Sequence, residues 1–183
     1  MNKTLEYLGT LLFSNAYRFL RIFPNNDPVM GSTLAFSRKD KWWQAFLYAV
    51  IAMVSFDIIT MKLGIWTIGT SLAFGLIAVL FSKYLKNRKK VGLKTYAKSS
   101  VFGVLIFDFL TGPIMSSALF RIPFETALLG QLPFTFMHLA SAVPLTLLMV
   151  PVLDPAIRPG IIQEVSKFEH RLRLLFSRPL MRL

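Results

Sequence analysis

The sequence contains no cysteine, only two histidines and only nine acidic residues. The lack of cysteine excludes a disulfide framework, a thiolate metal site and a cysteine nucleophile. His138, in an apolar run, and His170, in the C-terminal tail, form no obvious metal cluster. The chain also has no Gly-x-x-x-x-Gly-Lys-[Ser/Thr], His-Glu-x-x-His or Gly-x-Ser-x-Gly motif. We therefore expect a protein that is not an enzyme, does not bind ATP through a Walker loop and needs no cofactor.

Apolar residues are abundant, at 54% of the chain, and charged residues make up only 16%. With a mean hydropathy of +0.55, this composition lies outside the range of soluble globular proteins. The net charge of +12 could indicate a nucleic-acid partner, but the basic residues lie in the gaps between apolar runs. The composition therefore predicts an integral membrane protein with no nucleic-acid partner.

Apolar runs predict an all-α membrane bundle of about six transmembrane helices within residues 1–155. Four runs have close to the ~20 residues that a bilayer core requires, and they cover residues 42–60, 63–82, 99–120 and about 132–150. Two earlier segments are also predicted to be helices. Residues 5–23 could span but carry Arg18 and Arg21, and residues 28–37 are only about half a span long.

The basic residues predict the orientation of the bundle. With six crossings, 17 of the 21 lysines and arginines fall on one face, including seven between Lys83 and Lys98. Short cytoplasmic loops hold such an excess. We therefore expect both termini in the cytoplasm and a multi-pass protein of the plasma membrane.

The tail, residues 156–183, predicts a basic amphipathic helix. Its apolar residues recur at helical spacing, with basic residues between them, and are Ile161, Ile162, Val165, Phe168, Leu172, Leu175 and Phe176. Such a helix lies either on anionic lipids or on a cytoplasmic partner, and the lipid interpretation is the simpler of the two.

Prolines predict several helix boundaries. Asp27 followed by Pro28 is a favourable helix start, since Asp caps and Pro suits the first helical position. Gly112-Pro113 is expected to kink or end the fifth helix, because proline removes a backbone donor. Pro133 is expected to begin the last span and Pro144 to bend it.

Two aspartates lie within predicted spans, where an ionisable group is costly unless it faces protein or water. Asp57 and Asp108 occupy the same place in a short repeat, Phe-Asp-x-x-Thr, at residues 56–60 and 107–111. Both are candidate substrate ligands, and Thr111 lies on nearly the same helical face as Asp108. The alternative is structural, with either aspartate paired to a nearby basic residue or capping a helix.

Further polar residues cluster at the predicted outer ends of the helices, where they could form a small-molecule pocket. The candidates are Asn25, Asn26, Asp27, Trp66, Gln131 and His138. Asn25 and Asn26 are equally well explained as turn residues. His138 either contacts a ligand or is a buried histidine bonded to a backbone carbonyl.

These motifs resemble the substrate-binding S components of energy-coupling-factor (ECF) vitamin transporters. The resemblance covers roughly residues 10–155 and depends on three stretches, residues 21–28 (Arg-Ile-Phe-Pro-Asn-Asn-Asp-Pro), 108–113 (Asp-x-x-Thr-Gly-Pro) and 130–134 (Gly-x-x-Pro-Phe). It implies a subunit that binds a vitamin-like micronutrient near the outer face, beneath the loop between the first two helices. It also implies a membrane coupling subunit and two ATPase subunits as partners.

One family feature is missing, and two other functions remain open. The Ala-x-x-x-Ala docking surface of the family's first helix is absent from residues 9–16, although Ala45 and Ala49 have that spacing on the third helix. A membrane scaffold such as an MreD-like cell-shape protein would need no pocket. A membrane-embedded enzyme would need Asp108 and His138 to act on one reacting group.

Overall fold

A computed structural model describes residues 3–21, 25 and 27–176, and within these residues every regular element is helical. The eight α-helices are α1 Lys3–Leu20, α2 Pro28–Lys39, α3 Trp42–Ile59, α4 Ile65–Lys86, α5 Leu93–Phe109, α6 Met115–Phe120, α7 Phe124–Leu153 and α8 Arg158–Phe176. A π-helical turn, Leu110–Ile114, joins α5 to α6, and a 3-10 turn, Pro155–Ile157, precedes α8.

Four helical segments are long and apolar enough to cross a membrane. They are Trp42–Ile59, Ile65–Lys86, Leu93–Phe120 and Phe124–Leu153. The prediction of a multi-pass α-helical membrane protein is therefore confirmed. The prediction that Pro133 begins the last span is wrong, because α7 starts at Phe124 and contains Pro133, Pro144 and Pro151. Membrane helices tolerate internal proline when neighbouring groups satisfy the freed carbonyls.

The short helix α2 is the centre of the bundle. Residues 28–37 are all buried, and α2 packs against α3, α4, α5 and α7. Small residues allow this close approach: a Cβ atom at Gly31 would lie 2.8 Å from the Cα of Thr146 on α7. Ser37 donates to the carbonyl of Ala78, and Ser82 donates back to the carbonyl of Ser37. These two bonds fix the end of α2 on α4.

The fifth span is interrupted where Gly112-Pro113 predicts a break. The α-helical pattern ends at Phe109, and the π-turn carries the chain into α6. Gly112 lies directly against the side chain of Gln131 on α7, where a Cβ atom would collide. The break therefore brings the backbone of this span close to α7.

One end of the bundle is closed by ion pairs. Lys3 lies 2.7 Å from Asp40, Lys39 pairs with Glu6, and Arg38 pairs with Asp154. These contacts join the start of α1 to the ends of α2 and α7, and Tyr96, near the start of α5, donates to Asp154 at 2.6 Å. Helices α1, α3 and α5 therefore run away from this basic end, and α2, α4 and α7 return to it.

Helix α8 leaves the basic end of the bundle. The side chains of Ile162, Val165 and Phe168 are 68%, 51% and 61% exposed. Arg158 donates to the carbonyls of Pro151 and Val152 and so connects the start of α8 to α7. The chain is helical over 158–176, where the tail helix is predicted, and the side chains of Leu172, Leu175 and Phe176 lie outside the described residues.

Candidate functional site

A cavity of about 310 Å³ lies at the end of the bundle opposite the basic end. It is enclosed by the end of α1, the start of α2, α3, the start of α4, the region of the π-turn and the first half of α7. Seven of the nine predicted site residues line it, namely Asn25, Asp27, Trp66, Asp108, Thr111, Gln131 and His138. The structure thus brings together groups that are up to 113 residues apart in sequence.

At the centre of the lining, His138 is held between two aspartates. Its Nδ1 lies 2.8 Å from Oδ1 of Asp108, and its Nε2 lies 2.9 Å from Oδ2 of Asp27. All three residues are buried. The alternative in which His138 bonds to a backbone carbonyl does not apply, because both ring nitrogens face carboxylates supplied by α5 and by the start of α2.

The geometry of this Asp27–His138–Asp108 trio requires one proton in each of its two hydrogen bonds. A neutral imidazole has one nitrogen that can only accept, and that nitrogen cannot bond an ionised carboxylate. Either the imidazole carries both protons between two carboxylates, or it is neutral and one carboxylic acid donates to it. Both arrangements give the trio a net charge of −1, and the second proton belongs to the trio as a whole.

Asp27 also starts α2. Its Oδ1 accepts from the backbone N–H groups of Val29 at 2.9 Å and Met30 at 3.2 Å, which confirms the predicted N-cap. The other carboxylate oxygen is the one that faces His138. One side chain therefore fixes both the central helix and the imidazole.

Asp108 has an oxygen without a partner. Its Oδ2 is buried and makes no hydrogen bond within the described part of the chain. A buried carboxylate oxygen without a donor is unfavourable by about 1–3 kcal/mol or more. The neighbouring Thr111 does not help, because its hydroxyl donates to the carbonyl of Phe107 at 2.8 Å.

Arg18 supplies a positive charge to the cavity. Its guanidinium lies 3.9 Å from the centroid of the Phe56 ring and 3.7 Å from the sulfur of Met53. No carboxylate of the described residues lies within 4.0 Å of it, although Asp27 and Asp57 act on it electrostatically. Arg18 is not among the predicted site residues, although a charge within an apolar helix is a signal that the residue faces a cavity.

Asp57, the other predicted aspartate, does not line this cavity. Its Oδ2 accepts from the hydroxyl of Thr67 at 2.7 Å, near the start of α4. The two repeats do share one local feature: Thr60 and Thr111 each donate to the carbonyl four residues earlier, at 2.8 Å. The repeat therefore fixes the threonine bond, and the neighbouring helices decide where each aspartate points.

Asn25 is both a turn residue and part of the lining. It has a left-handed backbone with φ of 54°, and its side chain donates to the carbonyl of Phe134 at 3.1 Å. Ser141 donates to the Asn25 carbonyl at 2.6 Å, so two bonds hold this turn against α7. Asn26, the remaining predicted site residue, lies outside the described residues.

Aromatic side chains form much of the wall. Phe107 meets the His138 ring edge-on with centroids 5.7 Å apart, and Phe74 lies 4.5 Å from Phe107. Trp66 and Phe134 complete this set. Sequence reasoning missed the three phenylalanines, because an isolated phenylalanine in a membrane span usually faces lipid or another helix.

The described residues contain no group of three histidine or acidic side chains that could hold a metal ion. The two aspartates lie on opposite nitrogens of His138, so their oxygens and the imidazole do not converge on one point.

Comparison with protein-family models, curated proteins and solved structures gives no match.

Proposed function

We propose that this chain is the substrate-capturing membrane subunit of an ECF-type importer, and that it binds a small, vitamin-like molecule near the outer face of the plasma membrane. The observation that carries the proposal is the cavity, which combines the charged trio, Arg18 and aromatic walls at one end of an apolar bundle. Such a combination is typical of small-molecule sites.

The proposed orientation has six crossings and puts the basic end in the cytoplasm. Lysines and arginines concentrate at that end, as the positive-inside rule requires of cytoplasmic loops. In this arrangement α1 and the short α2 complete the set of six spans, and the cavity opens to the outside. Burial of α2 by five other helices supports its inclusion, since a buried helix need not match the bilayer thickness.

The proposed partners follow from the resemblance to S components. A membrane coupling subunit and two ATPases would supply the energy, because this chain has no Walker motif. Membrane lipids are the proposed contact of α8, whose exposed apolar residues have Lys167 and Arg158 beside them.

The cavity favours capture over the other two functions. A scaffold of similar fold gains nothing from a buried carboxylate oxygen that lacks a donor. An enzyme would need a free nitrogen on His138 to exchange a proton with a substrate, and both nitrogens are already bonded to carboxylates.

Mass spectrometry of small molecules that co-purify in mild detergent tests the proposal. The wild-type protein should retain a small molecule, and Asp108→Asn should retain at least about tenfold less, corresponding to roughly 1.4 kcal/mol. Asp57→Asn is the matched control, because it makes the same change in the same local motif outside the cavity. Equal retention by both variants, or an empty wild-type protein, would refute the proposal.

A further inference from the structure

The cavity offers a fixed acceptor at one place and free donors at another. The acceptor is Oδ2 of Asp108, a buried oxygen that has no partner among the described residues and belongs to a residue that is only 4% exposed. A ligand N–H group is the natural complement, since an ionised or hydrogen-bonded carboxylate only accepts there.

The donors belong to Arg18. Phe56 covers the face of the guanidinium, and the sulfur of Met53 is a weak acceptor for one nitrogen. The remaining N–H groups lie at the edge of the planar guanidinium, and arginine binds carboxylates through this edge with two parallel hydrogen bonds, in a bidentate geometry.

The charges of the lining sum to zero. Arg18, Asp27, Asp108 and His138 are the ionisable residues that line the cavity, and the trio at −1 balances Arg18 at +1. Asp57 does not line the cavity, and its carboxylate accepts a hydrogen bond from the hydroxyl of Thr67. Such a lining favours a molecule with no net charge that carries a donor and an anionic oxygen.

The walls between these groups are flat and apolar. Phe74, Phe107, Phe134 and Trp66 present aromatic surfaces, and the volume of about 310 Å³ lies at the small end of ligand pockets. A planar, compact molecule fits these walls better than a flexible chain, because little rotational freedom is lost on binding.

Resting on the proposed function, we infer that the ligand is a small bipolar molecule with a planar middle, whose N–H donor binds Asp108 and whose carboxylate binds Arg18.

Three probes with one ring test this inference: 4-(aminomethyl)benzoate carries both groups, benzylamine only the donor and benzoate only the carboxylate. In a Trp42→Phe, Trp43→Phe background, Trp66 is the sole tryptophan, and its emission reports occupancy. The bipolar probe should bind at least about tenfold more tightly than either single-group probe.

Two variants separate the two ends of the site. Asp108→Asn should weaken the bipolar probe and benzylamine by at least about tenfold and leave benzoate unchanged. Arg18→Gln should weaken the bipolar probe and benzoate and leave benzylamine unchanged. A misfolded variant would lose affinity for all three probes, so misfolding cannot explain the loss of a different single-group probe in each variant. If either variant does not fold, the relative affinities of the wild-type protein for the three probes test the inference.

Equal affinity for the three probes would overturn the bipolar class and leave small-molecule capture intact. Loss of binding of all three probes by a folded Asp108→Asn protein would also overturn it. The same holds if the emission of Trp66 responds to none of the probes at about 10 mM, because the binding free energy would then be weaker than about 3 kcal/mol. Capture itself is judged separately, by the molecule that co-purifies.

Discussion

At the scale of single residues, Asp27 and His138 contribute both to the fold and to the candidate site. Asp27 caps the central helix with one oxygen and holds the imidazole with the other. The imidazole in turn bonds Asp108, whose second oxygen has no partner among the described residues. Through this chain of bonds, the start of α2 determines where the acceptor of the cavity lies.

Two substitutions of Asp27 should separate its two roles. Asp27→Asn keeps a good N-cap but removes the carboxyl partner of His138, and Asp27→Ala removes both. We expect the free energy of unfolding to fall further for Asp27→Ala by about 1 kcal/mol, the usual value of a cap. Unfolding by sodium dodecyl sulfate measures both variants, and equal values would show that the cap contributes nothing.

At the scale of helices, α2 depends on close packing rather than on apolar length. Gly31 lies so near the backbone of Thr146 that a methyl group has no room. Gly9 on α1 has no neighbouring atom within 4 Å of a Cβ position. The two glycines therefore form a matched pair for one substitution.

Gly31→Ala should destabilise the protein by about 1–3 kcal/mol through overpacking of backbone on backbone. Gly9→Ala should be neutral or stabilise it by up to about 1 kcal/mol, because alanine favours the helix. Unfolding in detergent compares the two, and a Gly31→Ala protein as stable as the wild type would contradict the α2–α7 packing.

Helix α8 makes a second prediction at this scale. The chain has no cysteine, so a single Val165→Cys or Gln163→Cys can carry an environment-sensitive fluorophore. In vesicles containing phosphatidylglycerol, the label at position 165 should shift to the blue, because the apolar face enters the interface. The label at position 163, on the other face, should not. The same emission at both positions would contradict a lipid contact.

At the scale of the whole molecule, the two ends of the bundle differ in their charged residues and in whether they contain a cavity. One holds ion pairs and most of the lysines and arginines, and the other holds the cavity. The positive-inside rule therefore predicts that the end with the ion pairs faces the cytoplasm, without reference to the substrate.

Single cysteines test this orientation. In intact cells, Lys89→Cys should resist a membrane-impermeant thiol reagent, because the loop between α4 and α5 lies on the basic side. Arg121→Cys, between α6 and α7, should react. Labelling of Lys89→Cys with protection of Arg121→Cys would reverse the orientation.

Transport activity provides another whole-molecule test. Purified alone in vesicles, the chain should show no ATP-driven uptake of its co-purifying molecule, because it has no nucleotide-binding motif. Accumulation that requires ATP in these vesicles would contradict its role as a capture subunit.

Much of this architecture could be predicted from sequence because a bilayer accepts few structures. Apolar runs of sufficient length must form helices, and an aspartate such as Asp108 within such a run must face protein or water. The positions of Asp57 and Arg18 could not be predicted, since each depends on which face of its helix meets distant neighbours. Likewise, Pro133 led to a wrong prediction of where α7 begins, because the energetic cost of a proline inside a helix depends on packing contacts that the local sequence does not contain.

The burial of α2 also has a consequence for biosynthesis. This 12-residue helix is synthesised before α4, α5 and α7, which surround it. At about 1.5 Å per residue it spans only ~18 Å, too little for it to be held by lipid alone. α2 is therefore fully enclosed by its neighbours only after α7 has been synthesised.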